Sequence, residues 1–331
     1  MGSMAMTSAP WRRFAAYGGL GWRPRTATLG AEISAGAGVA APFRSDSEYR
    51  RLKAVLLYRP GPELASIRDP NSAQHLQALD VPRLRREISE LAAAYRRLGI
   101  AAEWIPSRRF PGKPGAERWN LSYVRDLFFA TREGAVVSRM ASLVRAGEEK
   151  FASRALALLG IPVNRSVSGR GTFEGADALW LDSKTVLCGV GRRTNAEGLR
   201  QLREALSPQG VEVLAASLPR GTQHLLGLLQ IVDRRLALLR SAFAPDSLVR
   251  MLVRLGFRLV RVPESEETAD KGGMNVVAVA PRRLVMPRDC PALKRLYVAS
   301  GLEVAAEVSA VELLKGGGGL ACATGILWRE A

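Results

Sequence analysis

Five stations along the chain, each about 50 residues after the last, carry a polar residue where an apolar strand starts or ends. They are Asp126 in Val-Arg-Asp-Leu-Phe-Phe, Glu174 in Phe-Glu-Gly-Ala-Asp, His224 in Gln-His-Leu-Leu, Asn275 in Met-Asn-Val-Val and Cys322 in Leu-Ala-Cys-Ala-Thr. Self-similarity at this period marks a propeller or solenoid, in which one supersecondary unit recurs around or along an axis. One functional group at the same point of every unit would converge on that axis. Two acids, an imidazole and a thiol would then share a pocket, which is the equipment of a thiol enzyme.

The units resolve into hairpins. After Asp126 an apolar run turns at Arg132-Glu133-Gly134 and returns as Ala-Val-Val-Ser; after Asp177 another turns at Asp182-Ser183-Lys184 and returns as Thr-Val-Leu-Cys-Gly. The runs after His224 and Asn275 turn at Asp233-Arg234-Arg235 and Pro281-Arg282-Arg283. Short apolar runs around such turns read as β-hairpins. Helical spacing follows over 149–159, 196–206, 247–255 and 291–300, then short strands at 161–163, 211–214, 258–260 and 302–304. The first unit is split: a strand at 51–58, a helix over 83–98 and a strand at 102–104 lie at one end, and 319–328 closes the ring at the other. The pattern predicts an α/β fold, a five-bladed pseudo-symmetric α/β propeller of strand-strand-helix-strand units around a central axis. An ordinary doubly wound sheet fits less well, because no Gly-x-Gly-x-x-Gly follows a strand.

With 331 residues and 47% hydrophobic content, the chain can bury a large core. We expect one catalytic domain over 46–331. Residues 1–45, rich in Gly, Ala, Arg and Trp, read as an irregular extension whose tryptophans pack on the propeller rim; residues 1–4 look like an expression remnant. No run of about 18 apolar residues is present, so no membrane span is predicted. The three cysteines are odd in number and unclustered, which argues against a disulfide framework or zinc site and for a reducing cytoplasm. The net charge of +17 is scattered as arginine pairs, with no basic run interleaved with aromatics. It predicts an arginine-rich surface with salt-sensitive, non-specific nucleic-acid affinity, not a specific nucleic-acid site.

Taken in order, the motifs resemble the amidinotransferase, arginine deiminase and dimethylarginine hydrolase group of the pentein superfamily. The likeness runs from about Ser47 to Trp328. It is carried by residues 47–61, Val-Arg-Asp-Leu-Phe-Phe at 124–129, Gly-Thr-Phe-Glu-Gly-Ala-Asp at 171–177, Arg-Arg-Thr-Asn at 192–195, Gln-His-Leu at 223–225 and the glycine-rich approach to Cys322. The resemblance implies a five-bladed propeller and a small guanidino substrate, with no metal or organic cofactor. Self-association is left open.

Guanidino chemistry makes definite demands. The carbon is electron-rich, so an enzyme must hold the cation, supply a strong nucleophile and protonate the departing nitrogen. A thiolate suits, since a neighbouring cation lets it exist near neutral pH. Cys322, after Gly316-Gly317-Gly318-Gly319, is the candidate nucleophile, the glycines allowing a tight turn and close substrate approach. Cys188 and Cys290 read as ordinary structural cysteines. His224 is the candidate general acid and base; His75, in a polar stretch, reads as exposed. Glu174 would orient His224 or contact the guanidinium. Asp126 would accept paired N–H bonds from the guanidinium fork, or else pair with Arg125. Asp177 is a second cation contact or a structural residue, and Arg193 resembles the family arginine that holds a substrate carboxylate.

Two departures stand out. The family's Glu-Gly-Gly-Asp reads Glu-Gly-Ala-Asp, and Leu226 stands two residues after the histidine, where deiminases and amidinotransferases commonly carry Asp. Losing that buried charge-assisted contact removes roughly 1.5–3 kcal/mol. Dimethylarginine hydrolases also lack this acid, so Leu226 favours a substituted guanidine over free arginine. The expected reaction is hydrolysis of arginine or a substituted arginine-like compound through an S-amidino Cys322, of deiminase type or, with a second hydrolysis at the same carbon, dihydrolase type. The alternatives are amidino transfer to an amine and a non-catalytic propeller with nucleic-acid affinity.

Overall fold

The structure, a computed structural model, describes residues 10–36, 43–106 and 118–330; residues 1–4 lie outside them. The N-terminal segment holds α1 (Leu29–Ser34), tied to the body by the Gly30 N–H, which donates to Glu133 Oε1 at 3.2 Å. Its tryptophans do not pack on the rim as the sequence suggested: Trp11 and Trp22 are 46% and 59% exposed, and Trp11 rests on Tyr17 instead. From Phe43 onward the chain enters the core.

Local sequence accounts for the elements that follow. β1 (Leu52–Leu57) leads to α2 (Val81–Arg97) and β2 (Ala101–Trp104). Asp80 caps α2 by accepting the Arg83 N–H at 2.9 Å, Pro82 occupies its first turn, and Leu84, Ile88, Leu91 and Tyr95 form its buried stripe. Four repeats come next. They are β3 (Phe128–Thr131), β4 (Gly134–Val137), α3 (Glu149–Leu158) and β5 (Val163–Ser166); then β6 (Ala178–Asp182), β7 (Thr185–Val190), α4 (Ala196–Leu206) and β8 (Glu212–Ser217). After these stand β9 (Leu229–Asp233), β10 (Leu236–Arg240), α5 (Asp246–Arg254) and β11 (Arg258–Val262). The short α6 (Glu266–Ala269) precedes β12 (Val277–Ala280), β13 (Arg283–Pro287), α7 (Pro291–Ala299) and β14 (Glu303–Val308). Finally α8 (Val311–Lys315) and α9 (Leu320–Ala323) lead into β15 (Gly325–Arg329).

The strands form five sheets of three, and the protein is a five-bladed α/β propeller. In β3–β4–β5 and its three successors the middle strand pairs antiparallel with the first, across a tight turn, and parallel with the third, across a helix. The remaining blade has the same pattern but is assembled from both ends of the chain, with β15 antiparallel and β2 parallel to β1. First strands such as β3 are buried throughout, whereas third strands such as β5 are largely exposed, so the first strands surround the axis and the third form the rim. No helix among the described residues is long and apolar enough to cross a membrane.

One strand departs from the sequence reading in where it begins. β5 starts at Val163, two residues late, because the Ile161 N–H is spent closing α3 on Leu156 O at 2.8 Å and Pro162 has no N–H to offer the ladder. The segment 319–328 closes the ring as α9, which carries Cys322, followed by β15.

Where the blades meet at the axis, the turns pack backbone to backbone. A Cβ on Gly175 would stand 2.2 Å from Phe128 O and 2.5 Å from Arg125 O, so the turn bearing Glu174 can lie on the preceding blade only as glycine. Gly175→Ala should lower unfolding free energy by about 1–3 kcal/mol in urea titration. Gly227→Ala, with nothing within 4 Å of the new methyl, should stay within about 0.5 kcal/mol of the parent.

Candidate active site

Three of the five stations sit at single helical turns that lead into the first strands of their blades. Asp126 lies in the turn Val124–Leu127 before β3, Glu174 immediately before Gly175–Asp177 and β6, and His224 immediately before Leu225–Gly227 and β9. Asn275 closes a turn on Gly272 O at 2.7 Å ahead of β12, and Cys322 rides on α9 ahead of β15. Because the first strands surround the axis, residues that precede them are gathered at one end of it.

Ionisable groups there are buried and cross-linked. His224 Nε2 lies 2.7 Å from Glu174 Oε2, and His224 Nδ1 lies 3.9 Å from Asp126 Oδ1. Arg145 Nη1 donates to Asp126 Oδ2 at 2.6 Å and lies 3.7 Å from Glu174 Oε2, while its Nε donates to Glu148 Oε2 at 2.8 Å. Asp126 does not pair with Arg125, which bonds instead to Glu48 at 2.9 Å. One atom in this network is unmatched: Asp126 Oδ1 is buried without a hydrogen-bond partner. Arg193 Nη1 stands 3.4 Å from Glu174 Oε1. Asp177 has both oxygens engaged, Oδ2 by the Thr194 hydroxyl at 2.6 Å and Oδ1 by the Leu225 N–H at 3.0 Å. Of its two predicted roles, this geometry matches the structural one, joining the second station's turn to that of the third.

Arg145 was not legible as a single motif, since it lies in a short turn, Leu143–Arg145, between stations. A signal existed nonetheless: Arg145 follows Asp126 by 19 residues, the same offset by which Arg193 follows Glu174.

Beside this network opens a cavity of about 810 Å³ whose wall includes His224, Leu226, Met274, Asn275, Leu314 and Cys322. Cys322 alone of the three cysteines reaches it; Cys188 and Cys290 are buried elsewhere, and burial pushes both thiols up, Cys290 to about 11. The glycine run before Cys322 has a packing reason. A Cβ on Gly316 or Gly318 would collide with Tyr123, at 2.1 and 2.4 Å, one on Gly319 would meet Asn275 Cγ at 2.6 Å, and Gly317 has φ +91°.

Electrostatics sets the resting protonation. Burial opposes a charge on His224, but Asp126, the Glu174 hydrogen bond and Asp177 outweigh it and raise the imidazole to about 9. Burial likewise disfavours a charged Glu174, yet the His224 bond and the charges of His224, Arg145 and Arg193 hold it at about 2. Burial pushes the Cys322 thiol up and the Asp126 charge adds to this. At neutral pH the site therefore holds an imidazolium, a carboxylate and an un-ionised thiol. Asp126, Glu174 and His224 offer one ligand atom each, all within 4.8 Å of one another, as a metal site would. Arg145 already supplies the positive charge there.

His75 departs from expectation. It is buried, not exposed, with Nε2 3.2 Å from Trp119 O, and burial lowers its pKa. Its polar sequence neighbours belong to a loop folded back onto the body, where Leu76 and Gln77 N–H both donate to Lys315 O.

Comparison with known proteins gives these residues a context. The sequence model of the arginine deiminase family matches residues 118–249. The N(G),N(G)-dimethylarginine dimethylaminohydrolase of Streptomyces coelicolor is 29% identical over 195 residues, covering 59% of this chain and 70% of that protein. Among solved structures, a cysteine-to-serine mutant of the Pseudomonas aeruginosa dimethylarginine dimethylaminohydrolase, complexed with citrulline, superposes with a TM-score of 0.64 at 21% identity. The match covers 84% of this chain and all of that one. The amidinotransferase SxtG of Microseira wollei, from a saxitoxin biosynthetic pathway, gives a TM-score of 0.69 at 13% identity over 88% and 98% of the two chains.

Because the chain has only two histidines, their titrations can be separated by long-range ¹H–¹⁵N NMR. His224 should titrate near pH 9 and His75 below the free-histidine value, and Glu174→Gln should move the His224 midpoint down. The folded His224 pKa lies above the unfolded value of about 6.5. Its contribution to stability is therefore complete below about pH 6.5 and is lost as pH rises through 9. Unfolding free energy measured across that window should fall in the parent and fall less in Glu174→Gln.

Proposed function

The chain belongs to the pentein superfamily, and we propose that it is a hydrolase of a substituted, arginine-like guanidine that acts through a covalent Cys322 intermediate. Relatives named for dimethylarginine, arginine and amidino-group chemistry support an enzyme acting on guanidino groups. The observation that carries the finer reading is the meeting of Cys322 and His224 on one cavity wall, next to a buried carboxylate oxygen that has no partner.

Each group then has a task. Asp126 Oδ1 accepts an N–H of the substrate guanidinium, making the bond the resting structure leaves open. The bound cation lies beside Cys322 and opposes the burial that keeps its thiol protonated, so the proton leaves to water as the substrate binds. The thiolate adds to the guanidino carbon, forming a C–S bond. His224, held as imidazolium by Glu174, gives its proton to the departing amine as the C–N bond breaks. An S-alkylthiouronium remains on Cys322. Neutral His224 then takes a proton from water, the resulting hydroxide attacks the same carbon, and collapse of the adduct expels the thiolate, which takes up the hydroxyl proton to restore the thiol as the ureido product forms. No metal or organic cofactor enters these steps. Arg193, held by Glu174, is the candidate for a substrate carboxylate.

Leu226, Met274 and Leu314 give the cavity an apolar wall where a second acid would otherwise clamp the guanidinium. An N-alkyl group fits that wall better than a bare NH₂, because burying apolar surface is favourable and an unpaired N–H is not. The cavity volume of about 810 Å³ favours a second reading, amidino transfer, since it leaves room for an amine acceptor beside the donor. The free thiols fit a reducing compartment, and we place the enzyme in the cytoplasm.

Two outcomes test this. Cys322→Ser should reduce turnover by about 1,000-fold or more with the fold intact by circular dichroism; retained turnover would remove Cys322 as nucleophile. Given arginine, a methylated arginine or guanidinoacetate without an acceptor amine, the enzyme should release ammonia or an alkylamine and form a ureido product, fastest from the methylated arginine. A dependence on added glycine or lysine with ping-pong kinetics would identify a transferase. Arginine as best donor would refute the reading of Leu226.

A further inference from the structure

One station of the repeat has no part in the chemistry above. Asn275 is the fourth station, and its carboxamide spans the reacting cysteine. Its Oδ1 accepts the Ala321 N–H at 2.6 Å and the Cys322 N–H at 3.4 Å, while its Nδ2 lies 3.2 Å from Cys322 Sγ. The two backbone groups can only donate, so the oxygen must face them and the NH₂ must face sulfur; chemistry settles the amide orientation.

The contact is built into the fold. The N-cap of α9 is Gly319, which has no side chain to cap the helix, and Asn275 supplies the cap from another blade. Gly319 must in turn be glycine for this approach, as a Cβ there would sit 2.6 Å from Asn275 Cγ. One side chain therefore fixes the backbone under Cys322 and directs an N–H at its sulfur.

We propose that Asn275 is a further catalytic residue, a neutral hydrogen-bond donor that holds Sγ of Cys322 in place and stabilises its thiolate. A donor of this kind favours the charged form of its acceptor. Neutrality matters here, because a fixed cation at the same place would repel the guanidinium the pocket must admit. The inference rests on the reading of Cys322 as nucleophile.

Asn275→Asp separates the two functions of the side chain. It keeps the shape and the oxygen that caps α9, but it removes the N–H and sets a carboxylate against sulfur. The measurement is the pH dependence of iodoacetamide alkylation at Cys322 in the full-length protein, quantified by mass spectrometry, with thermal unfolding and kcat and KM followed in parallel. The midpoint should rise by at least one pH unit and the alkylation rate at pH 7.5 should fall about 10-fold or more, one unit being a factor of ten in thiolate. Unfolding should move by only a few degrees, and the loss in turnover should appear in kcat with KM little changed. Should Asn275→Asp fail to fold, Asn275→Ala decides: a raised midpoint supports the assignment. A parental midpoint in a folded variant overturns it and leaves Asn275 a helix cap. If Cys322→Ser keeps its turnover, the nucleophile reading fails whatever Asn275 does. If Cys322 is essential but its alkylation ignores Asn275, this inference fails alone.

Discussion

The site depends on a guanidinium sealed inside the protein. Arg145 is 4% exposed and is bonded to Asp126 and Glu148, with Glu174 close by. A buried charge costs several kcal/mol unless it is paired, and removing one partner of a buried pair is strongly destabilising. Turns from the second, third and fourth blades must therefore meet at the axis in one arrangement. Gly175 permits the close backbone approach, and Asp177 bonds the Thr194 hydroxyl and the Leu225 N–H to complete it.

The same network sets the protonation states. Carboxylates around His224 hold it protonated, while burial and Asp126 hold Cys322 as a thiol. At rest the imidazole is protonated and the thiol is not ionised. In the reaction proposed above, the cationic substrate reverses that imbalance, because it brings the charge that the thiol lacks. The unmatched Asp126 Oδ1 is where this cation would anchor, and Arg145, by occupying Oδ2, keeps the carboxylate in place without blocking its other oxygen.

The sequence was readable wherever the governing interactions are local. Two apolar runs joined by a turn such as Asp233-Arg234-Arg235 specify a hairpin locally, and β9 and β10 form where the pattern puts them. Helix ends such as that of α4 match to the residue, because Asn195 caps locally by accepting the Gly198 N–H. What failed did so for distant causes. The polar neighbourhood of His75 suggested solvent, but a loop bonded to Lys315 buries it. The glycines before Cys322 suggested room for substrate, whereas Tyr123 and Asn275 fill the space their side chains would need.

By itself the sequence determined the period, the hairpins and the five stations, since turn chemistry and short apolar runs act over a few residues and the spacing repeats them. It thereby named the residues that could meet. Only the tertiary structure decided how they meet: that Arg145 lies between Asp126 and Glu148, that Asp177 is consumed by bonds to neighbouring turns, and that Asn275 faces the sulfur of Cys322. The bonds from Asp177 to Leu225 and from Asn275 to Cys322 join different blades, 48 and 47 positions apart, and the energies of all these pairings depend on burial and distance, which no local stretch of sequence encodes.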